Sequence, residues 1–214
     1  VRMAREFFPL ALRTIVIDPG HGGGDLGTSV GSLHEKDLTL DLARRLRALL
    51  VAEGFSVHLT RDADSRLSLR ERARLANDLG ADLFLSIHLN WFEGAAASRG
   101  VETYYLGPTN DPYLTRLASA ENAESGYSRA DIRHLLEGIY RDLRQEESFA
   151  AAASLQQALH RSLSHLAPQV ADRGVKQAPF LVLVATEMPA VLAEVSCLSN
   201  DEEARLLTQP DYRD

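Results

Sequence analysis

Short β-branched runs alternating with amphipathic helical stretches constrain this chain more than any other feature of its sequence. Residues 14–18 (TIVID) read as a buried strand that enters a loop at Pro19-Gly20. Residues 35–53 repeat Leu38, Leu42, Leu46, Leu49 and Leu50 at helical spacing, and Gly54 closes the run. Residues 56–60 form a second strand, 69–79 a helix ending at Gly80, 82–88 a third strand and 101–106 a fourth. From about 110 to 167 the chain reads as helix after helix, with an Ala-rich stretch at 150–153. Strands resume at 180–184 and 190–195, and a short helix near 201–207 comes last. Such alternation implies an α/β fold: a twisted, mostly parallel or mixed sheet with helices on both faces, plus a helical insertion.

A length of 214 residues fits one domain with an inserted segment. No apolar run approaches the roughly 20 residues that a membrane-spanning helix needs. The net charge is −7, and no dense Lys/Arg face is present to neutralise a phosphate backbone, so nucleic acid is not an expected partner. The single cysteine, Cys197, excludes both an intrachain disulfide and a cysteine-based zinc cage. The opening residues Val1-Arg2-Met3-Ala4-Arg5 are followed by no apolar signal-peptide core. That start suits a cytosolic protein or a domain cut from a longer exported precursor, and composition does not separate the two.

In open α/β sheets, ligands bind outside the carboxyl ends of the strands. His21 falls just past the first strand, His88 closes the third, and Glu194 sits near the end of the last, while Glu35 opens the first helix after a glycine-dense loop. Two imidazoles and one carboxylate suit zinc, which keeps one position open in catalytic sites. A further carboxylate can take a proton from water activated there. Each residue has a plainer role. His21 suits a loop hydrogen-bonder, His88 a satisfied core histidine and Glu35 a carboxylate meeting a helix dipole. Glu194 resists that treatment, because in the run Ala190-Val191-Leu192-Ala193 an unpaired carboxylate costs several kcal/mol. His34, next to Glu35, is the one rival ligand. The loop glycines (Gly20, Gly22, Gly23, Gly24, Gly27 and Gly31) suit phosphate only weakly, since they match neither a P-loop nor GxGxxG.

These motifs assemble in an order that resembles the zinc-dependent N-acetylmuramoyl-L-alanine amidases of the amidase 3 type, over nearly everything from residue 14 to about 209. The resemblance rests on Asp18-Pro19-Gly20-His21-Gly22-Gly23 with Asp25 and Gly27, then Glu35-Lys36-Asp37, Leu59-Thr60-Arg61, and Arg72 with Ala76-Asn77. It continues through Ser86-Ile87-His88 with Asn90, Gly100-Val101-Glu102, Arg173-Gly174-Val175-Lys176, Pro189-Ala190-Val191-Leu192-Ala193-Glu194 and Leu198-Ser199-Asn200. It implies Zn2+ held by His21, Glu35 and His88, with Glu194 as the catalytic glutamate. The implied substrate is peptidoglycan, cut at the amide between N-acetylmuramic acid and L-alanine of the stem peptide. The implied roles are cell-wall remodelling or daughter-cell separation. Asn90 and Arg173 are expected to contact substrate.

Further expectations follow from that likeness. The chain is expected to be one catalytic domain over 1–214, monomeric and extracytoplasmic, with a C-terminal helix cut short at Asp214. The helical region near 110–150 is expected either to gate the zinc, released by an activator protein, or to be a plain solvated helix; Glu137, Asp142, Glu146 and Glu147 are its acidic candidates. A zinc peptidase of stem peptides and a catalytically inactive wall-binding module are the alternatives to an amidase.

Overall fold

The computed structural model describes residues 12–92, 97–123, 125 and 144–214. In chain order the elements are β1 (Thr14–Pro19), the short strands β2 (Ser29–Val30) and β3 (Leu33–His34), α1 (Glu35–Ala52) and β4 (Ser56–Leu59). Then come α2 (Leu69–Asp78), β5 (Leu83–Asn90), β6 (Val101–Leu106), α3 (Pro112–Glu121) and α4 (Arg144–Leu166). The chain continues with β7 (Asp172–Ala178), α5 (Leu181–Val184), β8 (Ala190–Cys197), α6 (Asp201–Leu207) and α7 (Pro210–Arg213).

Six strands form one sheet in the order β4-β1-β5-β8-β6-β7. The first four run parallel; β6 pairs antiparallel with β8 and parallel with β7. The sheet is therefore mixed, as the alternation of runs implied.

Side chains alternate across a strand, and that period of two divides the core. Ile15, Ile17, Leu85, Ile87, Val191 and Ala193 face Ala43 of α1 and Ala151 and Ala152 of α4. Val16, Phe84, Leu192 and Tyr104 face Ala76 of α2, Leu114 and Ala118 of α3, and Val182 and Leu183 of α5. The same parity carries Asp18, Ser86, His88, Glu194 and Glu102 onto this second face. They meet at one rim, where β1, β5 and β8 end and β6 and β7 begin. α2 is fixed over that rim by a capping box in which Ser68 accepts from the Glu71 amide and Glu71 from the Ser68 amide.

The turn after β1 exposes backbone carbonyls inside the protein, and two buried arginines satisfy them. Arg72 donates to Asp18 Oδ1 at 2.7 Å, to the Pro19 carbonyl at 2.7 Å and to the His21 carbonyl at 2.8 Å. Arg61 donates to the carbonyls of Pro19 at 3.0 Å, Gly20 at 2.8 Å and Lys36 at 2.8 Å. Burial opposes the charge of Asp18, but Arg72, Thr60 and Ser86 outweigh it and hold its carboxyl below the usual range.

Two sequence expectations change. The apolar run at 180–184 is not a strand but contains the fully buried helical turn α5. A short apolar run cannot be told from a buried helical segment by periodicity alone. The strand beside β6 is instead β7, whose sequence DRGVKQA is half-exposed at a sheet edge and carries no apolar alternation. The expected helical stretch contains α3 and α4, and residues 126–143 lie outside the described residues.

Arg72→Met would leave Asp18 buried without its partner, a change that typically costs about 3–5 kcal/mol. Urea unfolding is expected to show a loss of that order. A loss under about 1 kcal/mol would mean that the rim does not depend on this pair.

Candidate metal centre

His21 reaches the rim through an unusual backbone. Its φ is 59°, in the left-handed region that a non-glycine residue rarely adopts. Arg72, holding its carbonyl, and Asp25 Oδ2, 2.9 Å from Nδ1, fix the ring there. The Nε2 atom of His21 is buried with no hydrogen-bond partner among the described residues. Two glycines make room for the cluster. A Cβ on Gly20 would lie 2.6 Å from the His88 ring, and one on Gly27 2.6 Å from both Glu35 Oε2 and His21 Cδ2.

Glu35 opens α1 with no exposed surface. Its Oε2 accepts from the Thr28 amide at 2.8 Å and hydroxyl at 3.1 Å; its Oε1 accepts from the Leu89 amide at 2.9 Å. That Oε1 also lies 3.2 Å from His21 Nε2 and 3.1 Å from His88 Nδ1. A fourth group approaches from α3: Glu121 Oε2 stands 3.6 Å from His21 Nε2 and 3.3 Å from His88 Nδ1.

The arrangement fits a tetrahedral cation. Ligand atoms of His21, Glu35 and His88 all lie within 4.8 Å of one another. Bonds of about 2.1 Å to a tetrahedral zinc put ligand atoms about 3.4 Å apart. The four distances to Glu35 and Glu121, 3.1, 3.2, 3.3 and 3.6 Å, bracket that edge. The contact of Asp25 with the other nitrogen of His21 is the outer carboxylate that commonly orients a metal-binding imidazole.

The charge balance asks for a cation as well. Burial disfavours a charged His21, yet Glu35, Asp25 and Glu121 overcome it and push the imidazole up to about 11. Burial likewise opposes ionisation of Glu35, and His21 and His88 hold its carboxyl low. Burial raises Glu121.

Glu194 lies beside the cluster, in register with His88 on one side and Glu102 on the other. It is 1% exposed, and its Oε2 has no hydrogen-bond partner among the described residues. Burial raises its carboxyl well above the usual value, and repulsion from Glu35, Glu121 and Glu102 adds to the shift. A cavity of about 330 Å3 opens next to the cluster between Arg66, Leu69, Ala120 and Ala123.

His21, Glu35 and His88 are thus brought together and Glu194 is adjacent, whereas His34 turns away to Ser29 at 2.9 Å. The loop amides are engaged internally: Gly20 with Ile87, Gly22 with the Asp25 carbonyl, Gly23 with Asp64 and Gly27 with the Asp25 side chain.

Asn90 is buried and bonded within the protein. Its amide donates to Glu102, and its Oδ1 accepts from the Trp91 amide and the Tyr113 hydroxyl, each at 2.8 Å. Arg173 stands further along the rim, bound to Glu102 at 3.1 Å. Glu146 and Glu147 do not reach the site: they sit in the first turn of α4, where Ser148 accepts from Ala190 at the opposite end of β8. Glu137 and Asp142 lie outside the described residues. Among the described residues a further acidic group stands at the site, Glu121, which sequence reasoning missed; no spacing or motif marks it.

Two outcomes test this centre. Gly27→Ala forces a Cβ against Glu35 and His21 and is expected to weaken divalent-cation affinity about 10–100-fold in competition with a chromogenic chelator. Unchanged affinity would remove the cluster as the site. Because cation-free His21 keeps its proton up to about 11, binding must expel that proton. Affinity should then rise about tenfold per pH unit between about pH 6 and pH 8, and pH-independent binding would contradict this.

Comparison with known proteins agrees with the geometry. The amidase 3 family profile, described as N-acetylmuramoyl-L-alanine amidase, matches residues 15–214. The chain is 32% identical over 208 residues to the N-acetylmuramoyl-L-alanine amidase AmiA of Escherichia coli (strain K12), covering 94% of this chain and 71% of that protein. Among solved structures it is similar to an N-acetylmuramoyl-L-alanine amidase from Clostridium difficile 630, with TM-score 0.72 and 29% identity over 96% of this chain and 90% of that one. It is also similar to the CwlD amidase of Clostridioides difficile, solved in complex with the GerS lipoprotein, with TM-score 0.65 and 26% identity over 94% of this chain and 90% of that one. Two imidazoles and a buried carboxylate at the rim of a mixed sheet, in a chain matched almost end to end, lead to one assignment: the chain belongs to the amidase 3 family of N-acetylmuramoyl-L-alanine amidases.

Proposed function

We propose that this peptidoglycan amidase works as a zinc hydrolase, with His21, Glu35 and His88 holding the metal and Glu194 moving the proton. The carrying observation is the convergence of three buried ligand atoms within 4.8 Å. Zinc, when bound, supplies a Lewis acid that polarises the scissile carbonyl and acidifies water.

The protein's own groups do the rest. Asp25 on His21, and Thr28 with the Leu89 amide on Glu35, keep the ligands aimed without reorganisation. Glu194 takes a proton from the attacking water and returns it to the L-alanine nitrogen as the amide breaks. Burial among carboxylates suits that task, because it raises the basicity of Glu194. An intact donor set beside a basic carboxylate favours this reading over an inactive wall-binding module. Product analysis separates it from a stem-peptide peptidase: the amidase frees the L-alanine amine of an otherwise intact peptide.

A second element belongs to the proposal. Glu121, at the end of α3, occupies the quarter of the cluster where substrate would meet the metal, at 3.3 Å from His88 and 3.6 Å from His21. Glu121 therefore holds the enzyme in check until a partner protein draws it away. The substrate puts the site of action outside the cytoplasm, and among the described residues no helix is long and apolar enough to cross a membrane.

Glu194→Gln is expected to retain one zinc per chain by elemental mass spectrometry and to lose about 10²–10⁴-fold in kcat on muropeptide. Activity within a few-fold of the parent would remove Glu194 from the mechanism. Glu121→Ala is expected to raise basal kcat/KM about tenfold at unchanged zinc content. A rate equal to the parent's would show that Glu121 does not restrain the site.

A further inference from the structure

The site is walled by carboxylates: Glu35, Glu121, Glu194 and Glu102 are all buried or nearly so. An anionic substrate would be repelled unless cations stood somewhere along its path. Two do, on β7. Arg173 and Lys176 both bind Glu102 Oε2, and each side chain is about one quarter exposed, 27% and 26%. Burial opposes the charge on Glu102, yet Lys176, Tyr104 and Arg173 outweigh it and keep the carboxyl low. Two cations over one carboxylate leave the patch net positive in a chain of net charge −7.

Arg173 is held stiffly. Its Nε donates to Glu102 at 3.1 Å, and its guanidinium carbon lies 4.2 Å from the centre of the Phe92 ring. Phe92 is itself stacked on Tyr113, with ring centres 5.3 Å apart. Among the described residues, neither Nη atom of Arg173 has a hydrogen-bond partner. A planar guanidinium fixed by its Nε edge and one face, with neither Nη atom engaged by the described residues, is prepared for bidentate binding of a carboxylate.

Its position fixes which half of the substrate it meets. Along the rim the order is His21 on the β1 side, His88 on β5, Glu194 on β8, Glu102 on β6 and Arg173 on β7. The leaving nitrogen must approach Glu194 to collect its proton, so the peptide half of the substrate runs toward β6 and β7. Two strand spacings separate His88 from Glu102, about 10 Å, which two or three extended peptide residues span.

From this juxtaposition we propose that Arg173, braced by Glu102 and Phe92, is a specificity-determining subsite for a free carboxylate on the stem peptide, a residue or two beyond the scissile L-alanine nitrogen. The proposal rests on the assignment of Glu194 and the metal cluster, since that assignment sets the direction of the peptide. Asn90 and Tyr113 serve the subsite indirectly, through their bonds to Glu102. Walls whose stem peptides carry a free acid at this position are then better substrates than walls in which it is amidated.

The test uses two synthetic stem peptides that differ only in whether that carboxylate is free or amidated. Each is titrated calorimetrically into the zinc-loaded chain and into Arg173→Gln of matched zinc content. The intact chain is expected to bind the acid about tenfold or more tighter than the amide, the usual scale for a hydrogen-bonded charge. Arg173→Gln should bind both at the amide's affinity, and Arg173→Lys should restore part of the difference. Equal binding of both peptides by the intact chain would overturn the proposal, as would no binding of either, or an Arg173→Gln variant that weakens both alike. Muropeptide hydrolysis is measured in parallel. Hydrolysis without discrimination removes the subsite and leaves the active-site assignment standing; discrimination without hydrolysis does the reverse.

Discussion

Glu35 carries a negative charge at a position with no exposed surface, in contact with two imidazoles and close enough to Glu121 and Glu194 to raise both of their carboxyls. Removing such a charge from water is expensive unless a positive charge comes with it. In the cation-free protein His21 provides one by keeping a proton; a divalent cation provides a stronger one. Much of the surrounding structure exists to hold that arrangement. Gly20 and Gly27 keep space that any Cβ would fill, Asp25 fixes the His21 ring, and Thr28 with the Leu89 amide takes up the lone pairs of Glu35 that the imidazoles leave.

Rigidity at the rim comes from buried guanidiniums rather than from glycine alone. Arg61 and Arg72 collect the carbonyls of Pro19, Gly20, His21 and Lys36, so the turn that carries His21 cannot relax away from β5. Glu102 plays the matching part on the far side. It gathers Asn90, Tyr113, Arg173 and Lys176, and so links β5, α3 and β7. Tyr113 makes this second hub relevant to control, because the helix it anchors ends at Glu121. A force on α3 would therefore act both on Glu121 beside the histidines and on the residues gathered at Glu102.

Much of this was legible in the sequence, for identifiable reasons. Strands β1, β5 and β8 are buried on both faces and read as continuous apolar runs; His21, His88 and Glu194 fall at or near their ends, and Glu194 is the one with no plain structural role there. Strand β7 stayed hidden because an edge strand rich in polar residues carries no periodic signal, and the buried turn α5 mimicked the strand it displaced. Glu121 was invisible for another reason. A glutamate ending an amphipathic helix is commonplace, and only the packing of α3 across the rim turns it toward the histidines. Of the acidic candidates, Glu146 and Glu147 lie at the other end of β8, and Glu137 and Asp142 lie outside the described residues. Asn90 was singled out by motif, and its side chain bonds Glu102, Tyr113 and the Trp91 amide.

The most direct test is anomalous diffraction at the zinc absorption edge from crystals of the purified chain. The account requires a single strong peak about 2 Å from His21 Nε2, His88 Nδ1 and a Glu35 oxygen. An empty cluster in zinc-soaked crystals, or a zinc peak bound elsewhere with His21 still turned to Glu35, would contradict it.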